Sequence, residues 1–208
     1  MLPVASKYRI AKRLGPAVFD QTQTQKFALR MAQAADTKKR GRGGRGGRGG
    51  SDYGRQLLEK QRIRFTYGLS EGQLSGYAQK AFTTENPSLS LHRALESRAD
   101  SVVYRAGFAS TRRAARQAVS HGHILINGVR TTIPSHHLKK GDVLSVRDGS
   151  RKSPLFAVLA EKNPEGRSAP SWIEVDEKLL TIKVSGDVPY SREEGSLDYA
   201  TLFEFYSR

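Results

Sequence analysis

Leu91, Leu95, Ala99, Val102, Val103 and Ala106 recur at helical spacing and share a stripe about 120° wide, which predicts a helix from about Ser90 to Ala106. Arg98 and Arg105 lie on its flank, two turns apart. The next helical pattern covers 111–120 and divides more sharply. With Arg112 set at 0°, Arg116 falls at about 40°, Ser120 at about 80°, Arg113 at about 100° and Gln117 at about 140°, while Ala114, Ala115, Ala118 and Val119 take the opposite side. The alanine side allows close approach to the preceding apolar stripe, so the two helices should pack. Gly122 stops the second helix. The period then changes to that of strands. Ile124 to Ile126 is a short apolar run, Asn127-Gly128 supplies the two positive-φ positions of a type I′ turn, and Val129 to Ile133 returns.

Weaker patterns flank this helix-helix-hairpin. A helix is expected from about Thr24 to Ala34. Ser51-Asp52 caps another, from about Tyr53 through Ile63 and ending near Gly68. Ser70, with Gln73 three residues on, fits a capping box for a helix from Glu71 to about Phe82, and Asn86-Pro87 breaks the pattern after it. Beyond Gly141, Asp142 to Arg147 alternates as a strand. Ser153-Pro154 opens a helix through about Lys162, Asn163 to Ser171 is a loop, and Trp172–Asp176 and Leu179–Val184 form a further strand pair. The aromatic end, Leu202 to Tyr206, should be docked, because such a patch is a liability when exposed. The fold class is therefore α+β: an N-terminal helical region with a basic mobile extension, plus an inserted helix-helix-hairpin with a small, mostly antiparallel sheet. The expected divisions are an extension at 1–50, disordered when free, a helical region at 51–90, the helix-helix-hairpin domain at 91–152, and a C-terminal helix and strands at 153–208 that return to pack on the helical region.

Charge sharpens this picture. The 208 residues carry a net charge of +15, unevenly spread. Residues 1–70 hold 16 Lys+Arg against 4 Asp+Glu and 91–152 hold 12 against 4, whereas 153–208 hold 6 against 10. Such a field attracts phosphate polyanions or anionic membranes and says nothing about fold. No acid sits at i,i+4 among the arginines of 112–116, so that face reads as a nucleic-acid grip, with a solvated surface as the alternative. Residues 38–50 are an Arg/Gly tract with almost nothing to bury; it is either a flexible linker or a segment that orders on RNA.

Other chemistries recede. Without cysteine there are no disulfides, Cys-based zinc sites or thiol nucleophiles, and the longest apolar run, Leu155 to Ala160, is far short of the roughly 20 residues that span a bilayer. His121/His123 and His136/His137 lack the i,i+4 spacing of a helical metal site, so no metal is expected. Asp100, Asp142, Asp148 and Ser120 form no nucleophile-base pattern, and the Arg/Gly run lacks the ending of a phosphate-binding loop. No enzyme and no cofactor are expected.

Ordered matches extend over about 51–208: Ser51-Asp52-Tyr53-Gly54-Arg55-Gln56-Leu57-Leu58-Glu59-Lys60-Gln61, Tyr67-Gly68-Leu69-Ser70-Glu71-Gly72-Gln73-Leu74, Leu95 through Ala109, the 111–128 motif, Trp172-Ile173-Glu174-Val175-Asp176 and Glu204-Phe205-Tyr206-Ser207-Arg208. In these the chain resembles the small-subunit ribosomal protein S-four family, and 92–152 resembles the RNA-binding domain named after it. The N-terminus departs from the family: Tyr8 to Pro16 matches loosely and no thiol is present, so the zinc ion of some members is not expected. The resemblance implies a structural role: binding the 5′ domain of small-subunit ribosomal RNA, nucleating assembly, lining the messenger RNA entry channel, and touching ribosomal protein S-five through a largely C-terminal surface that influences decoding accuracy. It implies a bacterial-type cytoplasmic ribosome, with an organellar one as the alternative. A different class, an RNA-modifying enzyme or ribosome-rescue factor sharing the small domain, would need a catalytic domain for which roughly 55 residues after 152 leave no room. The residues expected to contact RNA are Arg42, Arg45, Arg48, Arg55, Arg62, Arg64, Arg98, Thr111, Arg112, Arg113, Arg116, Gln117, Asn127, Lys139 and Lys140. Tyr53 and Tyr67 are weighed between base stacking and core packing.

Overall fold

The computed structural model describes residues 6–40, 51–153, 155–156, 169–176, 178–190 and 197–208. The chain forms two compact units, one from Met1–Lys80 with Arg192–Arg208 and the other from Ala81–Ser191. Residues 41–50 of the tract expected at 38–50, with Arg42, Arg45 and Arg48, and most of the helix expected at 154–162 lie outside the described residues, while 38–40 end α2.

The first unit is helical. Helix α1 (Lys7–Leu14) and two single 3-10 turns (Pro16–Val18, Asp20–Thr22) precede α2 (Gln25–Arg40), which runs further than the expected Ala34. Helix α3 spans Asp52–Thr66; its N-cap Ser51 accepts the Gly54 N–H at 3.1 Å. Helix α4 (Glu71–Phe82) begins with the expected capping box: Gln73 N–H donates to Ser70 Oγ at 3.2 Å, and Ser70 N–H donates to Gln73 Oε1 at 3.0 Å. The aromatic C-terminus is a helix, named α9 below (Tyr199–Tyr206), packed along α3. Leu202 and Phe203 are buried, and the Tyr199 and Tyr67 hydroxyls meet at 3.2 Å. The α3 side of this contact is polar. Gln56 donates to Glu204 at 3.1 Å, Glu59 accepts the Asp198 N–H at 3.0 Å, and buried Lys60 pairs with Glu71 at 2.8 Å while lying 4.3 Å from the Phe205 ring centre. Burial opposes the charge on Glu71, but hydrogen bonds from Lys60 and Tyr206, with the charges of Lys60 and Arg64, hold its carboxyl below the usual range.

The second unit layers helices on a sheet. The helix expected over 90–106 is two helices, α5 (Pro87–Glu96) and α6 (Ala99–Arg105), separated by Ser97 and an extended Arg98. The reason lies elsewhere in the chain. The loop after the hairpin lays carbonyls against the start of α6, where Ala99 N–H donates to His136 O at 2.8 Å and Asp100 N–H to Pro134 O at 3.2 Å, while Leu138 N–H returns to Ser97 O at 2.8 Å. Serving that end takes the chain out of the sheet early, so the returning strand is Val129–Arg130, not the expected 129–133.

Helix α7 (Arg112–Ser120) follows, then β1 (Ile124–Ile126), β2 (Val129–Arg130), β3 (Val143–Val146), the short α8 (Asp148–Arg151), β4 (Ile173–Asp176) and β5 (Thr181–Val184). The sheet is antiparallel in the order β2-β1-β3-β5-β4. Its register pairs Ile126 with Leu144, Leu144 with Ile182 and Val175 with Ile182. These side chains share one apolar core with Val102 and Val103 of α6 and Ala115, Ala118 and Val119 of α7, so the stripe and the alanine face pack as expected. The strands of 173–184 thus complete the hairpin's sheet, while α9 belongs to the helical unit.

Candidate nucleic-acid interface

Helix α7 is held at both ends by its own sequence. Thr111 is the N-cap, its hydroxyl accepting the Ala114 N–H at 3.1 Å. At the other end Gly122 takes φ +70°, which lets His123 N–H reach Ala118 O at 3.1 Å and Gly122 N–H reach Val119 O at 2.8 Å.

Packing its alanine side fixes which way the cationic side faces, and it splits that side in two. The edge carrying Arg112 and Arg116 turns toward α5 and α6, where two carboxylates wait. Glu96, 1% exposed, takes Arg105 through a bidentate pair of 2.8 Å bonds and Arg112 Nη2 at 3.0 Å. Asp100, 6% exposed, takes Arg98 through two 2.9 Å bonds and Arg116 Nε at 2.9 Å. Arg112 also donates to Ser101 Oγ at 3.2 Å and stacks 4.6 Å from the Tyr104 ring centre. The side chains of Arg112 and Arg116 keep 16% and 15% of their surface. The other edge, Arg113, Gln117 and Ser120, is exposed. The sequence offered no acid at helical spacing within α7; the partners sit 16 residues upstream, where helix phase cannot see them.

The remaining expected contacts sort the same way. Arg98 is 1% exposed and committed to Asp100, so it belongs to the interior and leaves the set of surface contacts. Arg62 donates to Leu14 O at 2.9 Å and pairs with Glu59 at 2.7 Å, and Arg64 reaches Gln61 at 3.1 Å and Glu71 at 3.6 Å; both brace the helical unit. Arg55 is exposed, with an open pair to Asp52 at 3.3 Å. Asn127, with φ +50°, and Gly128, with φ +81°, make the expected turn. The Asn127 side chain is engaged there, donating to Asp142 at 2.9 Å and accepting the Val143 N–H at 2.9 Å. Lys139 and Lys140 are exposed. Tyr67 is core, whereas Tyr53 is 50% exposed and rests 5.7 Å from the Phe205 ring centre.

Two cations left out of the expected set face outward beside α7: Arg130 and Arg147, both exposed. Arg130 lies opposite Leu125 in the hairpin register, on the sheet face away from Ile124 and Ile126, so hairpin alternation could have found it. Among the described residues no three His, Asp or Glu side chains gather to hold a metal ion, and no helix is long and apolar enough to cross a membrane. The surface so assembled offers guanidinium, ammonium and amide donors to an anionic polymer.

Similarity to known proteins extends over most of the chain. The family described as Ribosomal protein S4/S9 N-terminal domain matches residues 4–96, and the one described as S4 domain matches residues 97–144. The small ribosomal subunit protein uS4 of Borrelia turicatae is 38% identical over 210 residues, covering 98% of this chain and 96% of that protein. Those of Sulfurihydrogenibium sp. (43% over 160 residues, 76% and 78%) and Aquifex aeolicus (40% over 172 residues, 81% of each) are similar as well. With kinship that runs through the helical unit and the helix-hairpin unit alike, the chain belongs to the ribosomal protein uS4 family.

Proposed function

We propose that this protein is a structural component of the small ribosomal subunit that binds small-subunit ribosomal RNA directly and performs no catalysis of its own. The observation that carries the reading is the division of α7: Glu96 and Asp100 fix one edge from inside, leaving Arg113 and Gln117 on an open, acid-free edge. Lys139, Lys140, Arg130 and Arg147 are exposed on the same unit, and Arg55 is exposed on α3. Contacts of this kind position a protein on folded RNA by shape and phosphate spacing. The finer reading is binding to the 5′ domain, early nucleation of the subunit body, and support of accuracy at the messenger entry side with ribosomal protein S-five as neighbour. It is favoured by the acidic balance of 153–208, which suits protein contact better than phosphate contact. The ribosome is of bacterial type, as are the relatives named above.

Co-sedimentation tests the assignment. The tagged protein is expected at one copy per small subunit, retained through salt washes that strip loosely bound factors; sub-stoichiometric recovery would overturn the structural role.

A further inference from the structure

We propose that His121, His123, Arg130 and Arg147 form a subsite for an RNA backbone phosphate at the C-terminal end of α7, one that holds the phosphate more tightly as His123 takes up a proton. The inference rests on the RNA-binding reading above and adds a place and a pH dependence to it.

Four residues from separate elements meet here. His121 closes α7, His123 leads into β1, Arg130 lies in β2 and Arg147 follows β3. The turn at Gly122 is what lets them approach. Arg130 lays its guanidinium across Gly122, in the space a Cβ would need, and donates to His121 O at 3.4 Å. The Arg147 N–H donates to His123 O at 2.9 Å, fixing the end of β3 beside the ring, and the Arg147 guanidinium folds over Gly149. The two imidazole centres are 5.9 Å apart. His123 is oriented from behind, its Nδ1 sharing a 2.9 Å hydrogen bond with Ser150 Oγ and its ring edge-on to Phe156 at 6.1 Å. That leaves Nε2 for a ligand.

Electrostatics favours an anion at this point. Unlike Arg112 and Arg116, neither Arg130 nor Arg147 has a carboxylate partner among the described residues, and the nearby Asp148 pairs with Arg151 at 3.1 Å. The negative end of α7 is closed by the bonds from Gly122 and His123 and by Arg130 over His121 O, so its dipole does not face the site bare. The charged groups facing His123 are His121, Arg147 and Arg130; partial burial, then these three, push its imidazole below the usual value. An arriving phosphodiester supplies the missing opposite charge and favours the imidazolium. The complex therefore binds more protons than the free protein, and affinity rises as pH falls.

The test uses the full chain and a transcript of small-subunit ribosomal RNA, titrated by fluorescence anisotropy at constant ionic strength. The wild-type protein should bind roughly three- to tenfold more tightly at about pH 6 than at about pH 8. The double variant His121→Asn, His123→Gln should lose that step. Arg130→Gln, an exposed substitution, should weaken binding at both pH values and reduce the slope of log affinity against log salt by about one, with an unchanged circular dichroism spectrum. A pH step that persists in the double variant overturns the subsite, as does an unchanged salt slope in Arg130→Gln. Absence of RNA binding at either pH would overturn the RNA-binding reading itself.

Discussion

Four guanidiniums on two buried carboxylates leave the cluster with an excess of positive charge, and that excess is stable only while both acids are present. Removing Asp100 takes a carboxylate from Arg98, which is almost wholly buried, and from Arg116. Asp100→Ala should lower the unfolding free energy by about 3–5 kcal/mol in denaturant titrations, the usual cost of breaking a buried ion pair from one side. Adjacent arginines of α7 should behave differently from each other. Arg113→Ala removes an exposed cation, so stability should stay within about 0.5 kcal/mol of wild type while RNA affinity falls. Arg116→Ala should cost about 1–3 kcal/mol of stability, because it takes a partner from buried Asp100. Equal stability losses at 113 and 116 would show that the two edges of the helix are not distinct.

At the scale of elements, local chemistry was legible wherever a side chain acts on its own neighbours. Ser51 before α3, Ser70 with Gln73, and Asn127-Gly128 could each be read because cap and turn bonds span three residues or fewer, whereas Thr111, expected to face RNA, caps α7 instead. What could not be read depends on distant chain. The break at Ser97–Arg98 is made by carbonyls of Pro134 and His136, and the direction of α7 by Glu96 and Asp100. Arg62 and Arg64 looked like surface cations because their partners Leu14 and Glu71 belong to other turns of the fold, and Arg98 because the helix break that turns it onto Asp100, two residues on, is made by the distant Pro134 and His136 carbonyls. The hairpin turn has its own pH dependence. Asp142 is held below the usual carboxylate range by hydrogen bonds from the Lys139 N–H and then Asn127, so its contribution is complete above the ordinary value and is lost as pH falls through the lowered one. As pH falls below about 4 the Val143 and Lys139 amides should exchange faster with solvent, ahead of the Leu144 amide in the core. Asp142→Asn should show the fast exchange already at neutral pH.

For the whole molecule, the positive charge outlasts the internal pairing. If about six to ten phosphates are contacted, affinity for ribosomal RNA should drop by roughly three to five decades between about 50 and 200 mM salt, measured by filter binding; a flat response would remove the electrostatic account. The path of the chain through its two units also sets a timetable. Most of the helical unit precedes the sheet-containing unit in the chain, but α9, which covers Lys60 and Glu59 of α3, is made after every residue of that unit. At ordinary rates of synthesis that interval is about ten seconds. During it the nascent α3 lacks its cover while the later unit is already whole, so the part begun first is the part finished last.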